Sequence, residues 1–480
     1  MDVNSVIVVG GGTSGCISAL ILKKQFPHLD ISIVESKDVG IVGVGESSTE
    51  HWSNFCEFVD IDILDAVLHC NATFKSGVYF ENWSNKDFIH SIESPYNETH
   101  NDYYYQLAYS IVNDKPPVDF YSTVNQLSIL DFNDLNDSPY HQFHFDTFAL
   151  NKYLHDVCIS RDIKVIQDDL TGVNLNTENG TLKEVFSESN NYIADFFIDC
   201  SGFARLLLGQ IYEIPWVSYS DYLPLNSAIS FATDEMDEYN KYTKATARNA
   251  GWSWTIPTQT RTGNGYVYCD SFIDENEAQD EMENAYGKTL EVSRQFKFDP
   301  GRLEKAWHKN CYAVGLSQSF VEPLEATSIG SIIQQMFCFI NFLPSYDEES
   351  CNENVNKIFD NIVDYIQAHY LVKKENTPFW KEVKYNLKLT STLESYLNKW
   401  KNRLPLSSDI RCSWGLFESI NYIQILHGLE WFDYDKIKKE YQFYKVEEDL
   451  NLSDIKPFSI SHKKFIKEIL NARHSQNNTE

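Results

Sequence analysis

Val6-Ile7-Val8-Val9-Gly10-Gly11-Gly12-Thr13-Ser14-Gly15 is the stretch whose reading decides the fold. Four β-branched residues in a row, with no polar interruption, read as a short strand buried on both faces, as parallel strands are. Glycines follow at once, and Cys16 to Phe26 then reads as a helix, with Ile17, Leu20 and Ile21 on one face and Pro27 closing it. A second strand, Asp30 to Val34, ends at Glu35. This βαβ unit opens a doubly wound sheet. Gly10-x-Gly12-x-x-Gly15 falls between its strand and helix, where a dinucleotide needs it. Gly10 permits the tight turn, Gly12 lets a pyrophosphate approach the backbone, and Gly15 lets the helix pack closely on the sheet. The helix start at Thr13 and Ser14 offers N–H groups and a positive dipole to phosphate. Glu35, twenty residues after Gly15, is placed to hold ribose hydroxyls. The alternative is a glycine-rich loop that holds nothing. The fingerprint occurs once, which predicts one tightly held dinucleotide, FAD rather than NAD, with electrons delivered by another protein.

Composition bounds the rest. The chain has 480 residues, and 42% of them are hydrophobic, which excludes a mostly disordered protein. Forty Lys and Arg against 69 Asp and Glu give a net charge of −29. Such a surface repels phosphate backbones, so nucleic acid is not expected as a partner. No apolar run reaches the roughly 18 residues that span a bilayer, and Met1-Asp2-Val3-Asn4 lacks the basic start of a signal peptide. No membrane association is expected. The ten cysteines include no C-x-x-C pair, which argues against a metal site or a disulfide framework and for a reducing cytoplasm.

Along the chain, Thr73 to Trp83 alternates, with Phe74, Val78 and Phe80 on one face and Lys75, Gly77 and Tyr79 on the other. Residues 86–145 are polar and Tyr-rich (Tyr103-Tyr104-Tyr105) and read as long loops. His155 to Ile163 reads as a helix, and Val165-Ile166 and Ala194 to Asp199 as strands returning to the nucleotide sheet. Residues 216–300, with Tyr266 to Tyr268, suggest a second, antiparallel sheet. Ser328 to Phe342 reads as a helix stopped by Pro344, and the pattern beyond 350 is helical. The expected fold is α/β: an FAD-binding, Rossmann-like doubly wound domain with an inserted mixed or antiparallel sheet and a helical C-terminal part. Residues 1–85, 146–215 and 301–345 are assigned to the FAD module. Residues 86–145, 216–300 and 346–480 are assigned to the substrate-binding part.

Three further motifs stand out. Gly43-Val44-Gly45-Glu46-Ser47-Ser48 is a second glycine turn. Gly251-Trp252-Ser253-Trp254-Thr255-Ile256-Pro257 sets two Trp at i and i+2, hence on one strand face. Phe320-Val321-Glu322-Pro323-Leu324-Glu325-Ala326-Thr327-Ser328 runs into the last helix. With Lys75 and with Phe197-Ile198-Asp199-Cys200-Ser201-Gly202-Phe203, these motifs resemble the flavin-dependent halogenases of the tryptophan halogenase family, from residue 6 to about 345. The W-x-W-x-I-P element and the strand lysine are the specific parts, because simple flavin monooxygenases share the glycine motif but not those two.

The resemblance implies a flavin-monooxygenase type of FAD domain. It also implies a reaction in which reduced FAD, O₂ and halide give hypohalous acid, which passes through an internal tunnel to a lysine beside the substrate. Lys75 matches that lysine and Glu325 the glutamate near it. Trp252 and Trp254 match the pair that keeps organic substrate from the flavin. The resemblance extends the cofactor set beyond Gly10, Gly12, Thr13, Ser14, Gly15 and Glu35 to Gly45, Glu46, Ser47, Asp199, Leu316 and Ile329. The N–H groups of Thr327 and Ser328 suit a halide. Each residue also has a bland alternative: Lys75 as an exposed edge lysine, Glu325 as an ordinary helix-start acid, the Trp pair as core. The family pattern reads E-S-T-G, whereas this chain has Glu325-Ala326-Thr327-Ser328, which leaves chloride, bromide and iodide open. The expected partners are a small electron-rich aromatic of phenol or indole type and a separate NAD(P)H-dependent flavin reductase supplying FADH2. A homo-oligomer is compatible with the sequence. The rival readings are a two-component flavin-dependent aromatic hydroxylase and a non-catalytic FAD-binding scaffold.

Overall fold

The strand Ser5–Val9 is paired on both sides in parallel, Val9 lying opposite both Val34 and Asp199. The computed structural model describes residues 3–40, 46–91, 142–441 and 461–477. In it this strand is inner to a six-stranded sheet, in the order 307–308, 311–313, 196–199, 5–9, 30–35, 164–167. All neighbours run parallel except the first hairpin. The helix Thr13–Gln25 begins three residues before the apolar pattern alone suggests. Gly12 is its extended N-cap, and the Cys16 N–H already donates to the Gly12 carbonyl. A Cβ on Gly15 would stand 2.0 Å from the Gly10 oxygen, so only glycine lets turn and helix nest.

The second helix of this face, Thr327–Phe342, is apolar and largely buried. The 324–345 segment is long and apolar enough to cross a membrane, but 67% of its most apolar 18 residues is buried within the protein. Phe339 stacks on Tyr312 at 4.1 Å between ring centroids and meets Trp307 edge-on at 5.0 Å, which marks a core helix.

A seven-stranded sheet runs in the order 292–297, 227–233, 262–268, 251–257, 243–248, 77–81, 88–91. It is antiparallel except where 243–248 joins 77–81. The alternating stretch 73–83 is not one strand. Thr73–Lys75 pairs with Gln142–Phe145 in a small separate sheet, and Gly77–Glu81 joins the large one. The break falls at Ser76, whose N–H is drawn away to the Lys241 carbonyl at 2.6 Å. The ends of the segment read as loop are likewise strands, Phe88–Ser91 and Gln142–Phe145. Tyr103–Tyr105 and Gly43–Gly45 lie outside the described residues. The helix read at 155–163 is Thr147–Ser160, started by Asp146, whose carboxylate accepts from the Phe148 and Ala149 N–H groups.

The C-terminal part is helical, as the pattern predicts; Glu348–His369 carries Tyr365 and His369 inward, and its C-cap Tyr370 is buried too. All ten cysteines are free. Replacing Phe339 with alanine should remove about 3–5 kcal/mol of stability. Urea unfolding of the chain without added flavin measures it.

Candidate functional site

The glycine turn opens onto a groove of about 530 Å³. Gly10, Gly11, Gly12, Thr13, Ser14, Glu35 and Glu46 line it, together with Asn151, Ser201, Phe203, Leu316, Ser328 and Ile332. A Cβ on Gly12 would meet nothing within 4 Å, so the backbone here faces open space. Gly11 is the opposite case: its carbonyl is held by Asn151 Nδ2 at 2.9 Å and His155 Nε2 at 2.6 Å, and Glu35 lies directly over it. Thr13 Oγ1 and Glu46 Oε2 are buried without a partner. Two orphaned polar atoms beside an open helix N-terminus and a strand-end carboxylate fit the phosphates and ribose of a dinucleotide. Burial raises the Glu46 carboxyl to about 7.

Some residues expected here stand elsewhere. Gly15 packs beneath the turn, and Gly45 lies outside the described residues. Asp199 does not line the groove. Its carboxylate is occupied by the Ser201 N–H and hydroxyl and by the Leu207 and Leu208 N–H groups, so it fixes the turn after its strand. Ser47 and Ile329 line an adjoining cavity instead. Asn151 and His155 carry no local sequence signal that separates them from ordinary helix residues, whereas Phe203 ends the motif that begins at Phe197.

That adjoining cavity, of about 160 Å³, shares Glu46, Leu316 and Ser328 with the groove. Trp252, Trp254 and Ile256 form one wall, and Phe296, Phe298 and Phe320 another. The two indoles project from one face of the 251–257 strand, 6.2 Å apart. Gly265, opposite Trp254, makes room for it: a Cβ there would sit 2.1 Å from the ring. Trp252 Nε1 donates to Glu322 Oε2 at 2.7 Å, and the Tyr370 hydroxyl donates to the same oxygen at 2.6 Å. Burial outweighs these bonds and raises Glu322 to about 7.

Glu325 lines the same cavity and is 3% exposed. It and Ala326 both adopt left-handed backbone, φ 66° and 58°, at a cost on the order of 1–3 kcal/mol each. The kink turns the Glu325 carboxylate between two histidines, with Oε2 2.8 Å from His90 Nδ1 and Oε1 3.1 Å from His369 Nε2. Burial alone would raise its pKa; the two imidazoles more than reverse this and hold it near 2. Sequence reasoning missed both histidines, which sit 235 and 44 residues away.

Lys75 is 1% exposed, which removes the edge-lysine alternative. It does not line the cavity surface; its Nζ donates to the Ser48 carbonyl at 3.0 Å. Burial lowers its pKa to about 8, partly offset by the charges of Glu325 and Glu50. Its short strand is secured from outside by His462, whose Nε2 accepts the Phe74 N–H. Of the two residues read as halide donors, Ser328 faces both cavities, while Thr327 is buried and lines neither. Among the described residues no group of three or more His, Cys, Asp or Glu is placed to hold a metal ion.

Residues 5–438 match the family model described as tryptophan halogenase. The chain belongs to the tryptophan halogenase family. It is 29% identical to the tryptophan 6-halogenase SttH of Streptomyces toxytricini, over 88% of this chain and 89% of that protein. It is also 29% identical to the 7-chloro-L-tryptophan 6-halogenase KtzR of Kutzneria sp. (strain 744), over 88% and 90%. A tryptophan halogenase from Shewanella frigidimarina has the same fold, with a TM-score of 0.84, 98% of each chain covered and 24% identity. This halogenase is accordingly a flavin-dependent enzyme of the Rossmann-like α/β type, using FAD, O₂ and halide.

The buried ammonium has a measurable cost. Its folded pKa lies below the unfolded value of 10.5, so at pH 7 the charge opposes folding. Lys75→Met should therefore stabilise the flavin-free protein at pH 7 by up to about 3 kcal/mol. The gain should shrink as pH rises through 8 and be gone above 10.5. Denaturation midpoints across that range test the sign.

Proposed function

We propose that this halogenase makes hypohalous acid in the glycine-lined groove and uses it, beyond the Trp-walled cavity, to halogenate a small electron-rich aromatic ring. The observation that carries the reading is the arrangement of two adjoining spaces. The groove suits a dinucleotide, and the cavity sharing Glu46, Leu316 and Ser328 with it is lined by both indoles and by Glu325. When bound, reduced FAD, supplied by a separate NAD(P)H-dependent flavin reductase, would supply two electrons that activate O₂, and O₂ is the oxidant that turns halide into hypohalous acid.

The chain's own residues do the rest. Thr13, Ser14 and the first helix turn hold the pyrophosphate, and Glu35 the ribose. The Ser328 N–H, at a helix start open to both spaces, suits a halide. Trp252 and Trp254 leave too little room for an aromatic substrate to reach the groove from this side. Lys75 uses one N–H on the Ser48 carbonyl and keeps the others to hold and polarise hypohalous acid. Glu325 is ionised, and accepts the proton the ring loses as the carbon–halogen bond forms. The names of the curated relatives favour an indole substrate, tryptophan included, over a phenol. Ten free thiols support residence in the reducing cytoplasm.

The test is product mass after incubation with FAD, a flavin reductase, NADH and one halide at a time, offered tryptophan, indole and a phenol. A halogen added to an indole is expected. A hydroxylated product that forms equally well without halide would transfer the protein to the aromatic hydroxylases. Lys75→Ala should lower ring halogenation roughly 10²-fold or more while FAD affinity stays unchanged. Because the ammonium is the donor and titrates near 8, the rate should fall as pH rises through that value. A rate rising over the same range would mean that the neutral amine does the work, through a nitrogen–halogen adduct.

A further inference from the structure

The hydrogen bonds around Glu325 fix where protons reside, and they leave one proton in surplus. His90 is settled by Asn421. The Asn421 Oδ1 accepts the Glu418 N–H at 2.6 Å, so its Nδ2, which can only donate, is the atom 3.1 Å from His90 Nε2. His90 Nε2 is therefore an acceptor, and the ring is neutral with its proton on Nδ1, donated to Glu325 Oε2 at 2.8 Å. His369 is settled by its own helix. Its Nδ1 stands 2.9 Å from the Tyr365 carbonyl, which can only accept, so Nδ1 carries a proton. Its Nε2 stands 3.1 Å from Glu325 Oε1. A neutral ring would set a lone pair against a carboxylate lone pair there, with both side chains 1% exposed and no solvent between them. The contact needs a second proton.

We propose that His369 is a buried imidazolium, a positioning residue that stores one exchangeable proton against Glu325. The proposal rests on the halogenase reading for its consequence, though not for the proton itself. Halogenation by hypohalous acid breaks the oxygen–halogen bond, forms a carbon–halogen bond and releases water. The departing hydroxyl needs one proton, and the ring gives one up. With a proton held at the Nε2–Oε1 contact, Glu325 hands it to the hydroxyl and takes the ring proton in exchange. The pair ends as it began, and no net charge is created in a water-poor site. The other ionisable groups facing this pair are His90, Lys75, Glu50 and Tyr365. The Tyr365 phenol, kept neutral by burial, packs edge-on to the His369 ring at 4.8 Å.

Nitrogen-15 NMR of the full chain labelled at histidine, without flavin, tests the proton directly. At pH 7, His369 should show protons on both ring nitrogens, and His90 on Nδ1 alone, with spectra of His369→Gln and His90→Gln giving the assignments. An unprotonated His369 Nε2 overturns the proposal. His369→Gln keeps a donor toward Oε1 but has no proton to release. It should bind FAD and form scavengeable hypohalous acid as the wild type does, and halogenate the ring roughly 10²-fold more slowly. An unchanged ring rate also overturns the proposal. If His369→Gln does not fold, His369→Asn gives the assignment in its place, and the wild-type spectrum then decides the protonation of His369. Wild-type protein that never halogenates, yet shows the doubly protonated ring, sinks the functional reading and leaves the buried imidazolium standing.

Discussion

A carboxylate without solvent must be compensated, and much of this molecule's C-terminal half is arranged around that demand at Glu325. The two histidines that satisfy it come from different layers, His90 from the 88–91 edge strand and His369 from the end of the 348–369 helix. A third element, the Ser419–Gly428 helix, locks the edge strand in place, because Gln424 exchanges both side-chain hydrogen bonds with the Ser91 backbone. The same helix carries the Asn421 that fixes the His90 tautomer. A buried charge of this kind contributes little net stability once its desolvation is counted. Its effect is to bring three elements to one point, and to do so only in the native register.

The constraint extends to the nucleotide side. The left-handed residues Glu325 and Ala326 lie immediately before the Thr327–Phe342 helix, whose far end packs against the parallel sheet through Phe339, Trp307 and Tyr312. One continuous element therefore carries the carboxylate at its start, the Ser328 junction one turn later and the core contact at its end. Displacement of the helix would move the groove wall and the acid together. The Trp wall is held by Glu322 behind Trp252 and by the missing side chain of Gly265 beneath Trp254; Glu322 and Glu325 are in turn bonded by the neighbouring residues Tyr370 and His369, so wall and acid share one anchor.

How much of this was legible in the sequence follows from the range of each interaction. The βαβ unit was readable because strand, turn and helix are contiguous and each glycine answers a local steric need. The Trp pair was readable because spacing of two places both rings on one face of any strand. The environment of Lys75 was not readable. Strict alternation through residues 73–83 implied one continuous strand, and the chain instead changes sheets at Ser76 for a bond to the distant Lys241 carbonyl. Asp199 entered the cofactor set through the family resemblance, but the backbone N–H groups that claim it belong to a turn with no recognisable signature. His90 and His369 are single histidines in an apolar strand and an amphipathic helix, and nothing local distinguishes them from packed core residues. Their meaning exists only when the fold brings them together.

The departure from the family's E-S-T-G pattern acquires a physical sense at this junction. Ser328 is a helical residue, so its backbone conformation does not require the glycine the pattern has there. What glycine would provide is space, and Ser328 fills that space on a surface shared by groove and cavity. Ala326, at φ 58°, takes the strained left-handed position with only a methyl group, where a serine hydroxyl could bond the local backbone. The two changes act in opposite senses: a hydroxyl is lost before the helix and one is gained just inside it. Moving a hydroxyl from 326 to 328 shifts it to the surface common to both spaces, next to the N–H groups that begin the helix. If the halide proposed for the Ser328 N–H sits there, it meets one more donor and a narrower opening, and its size and hydration set the fit.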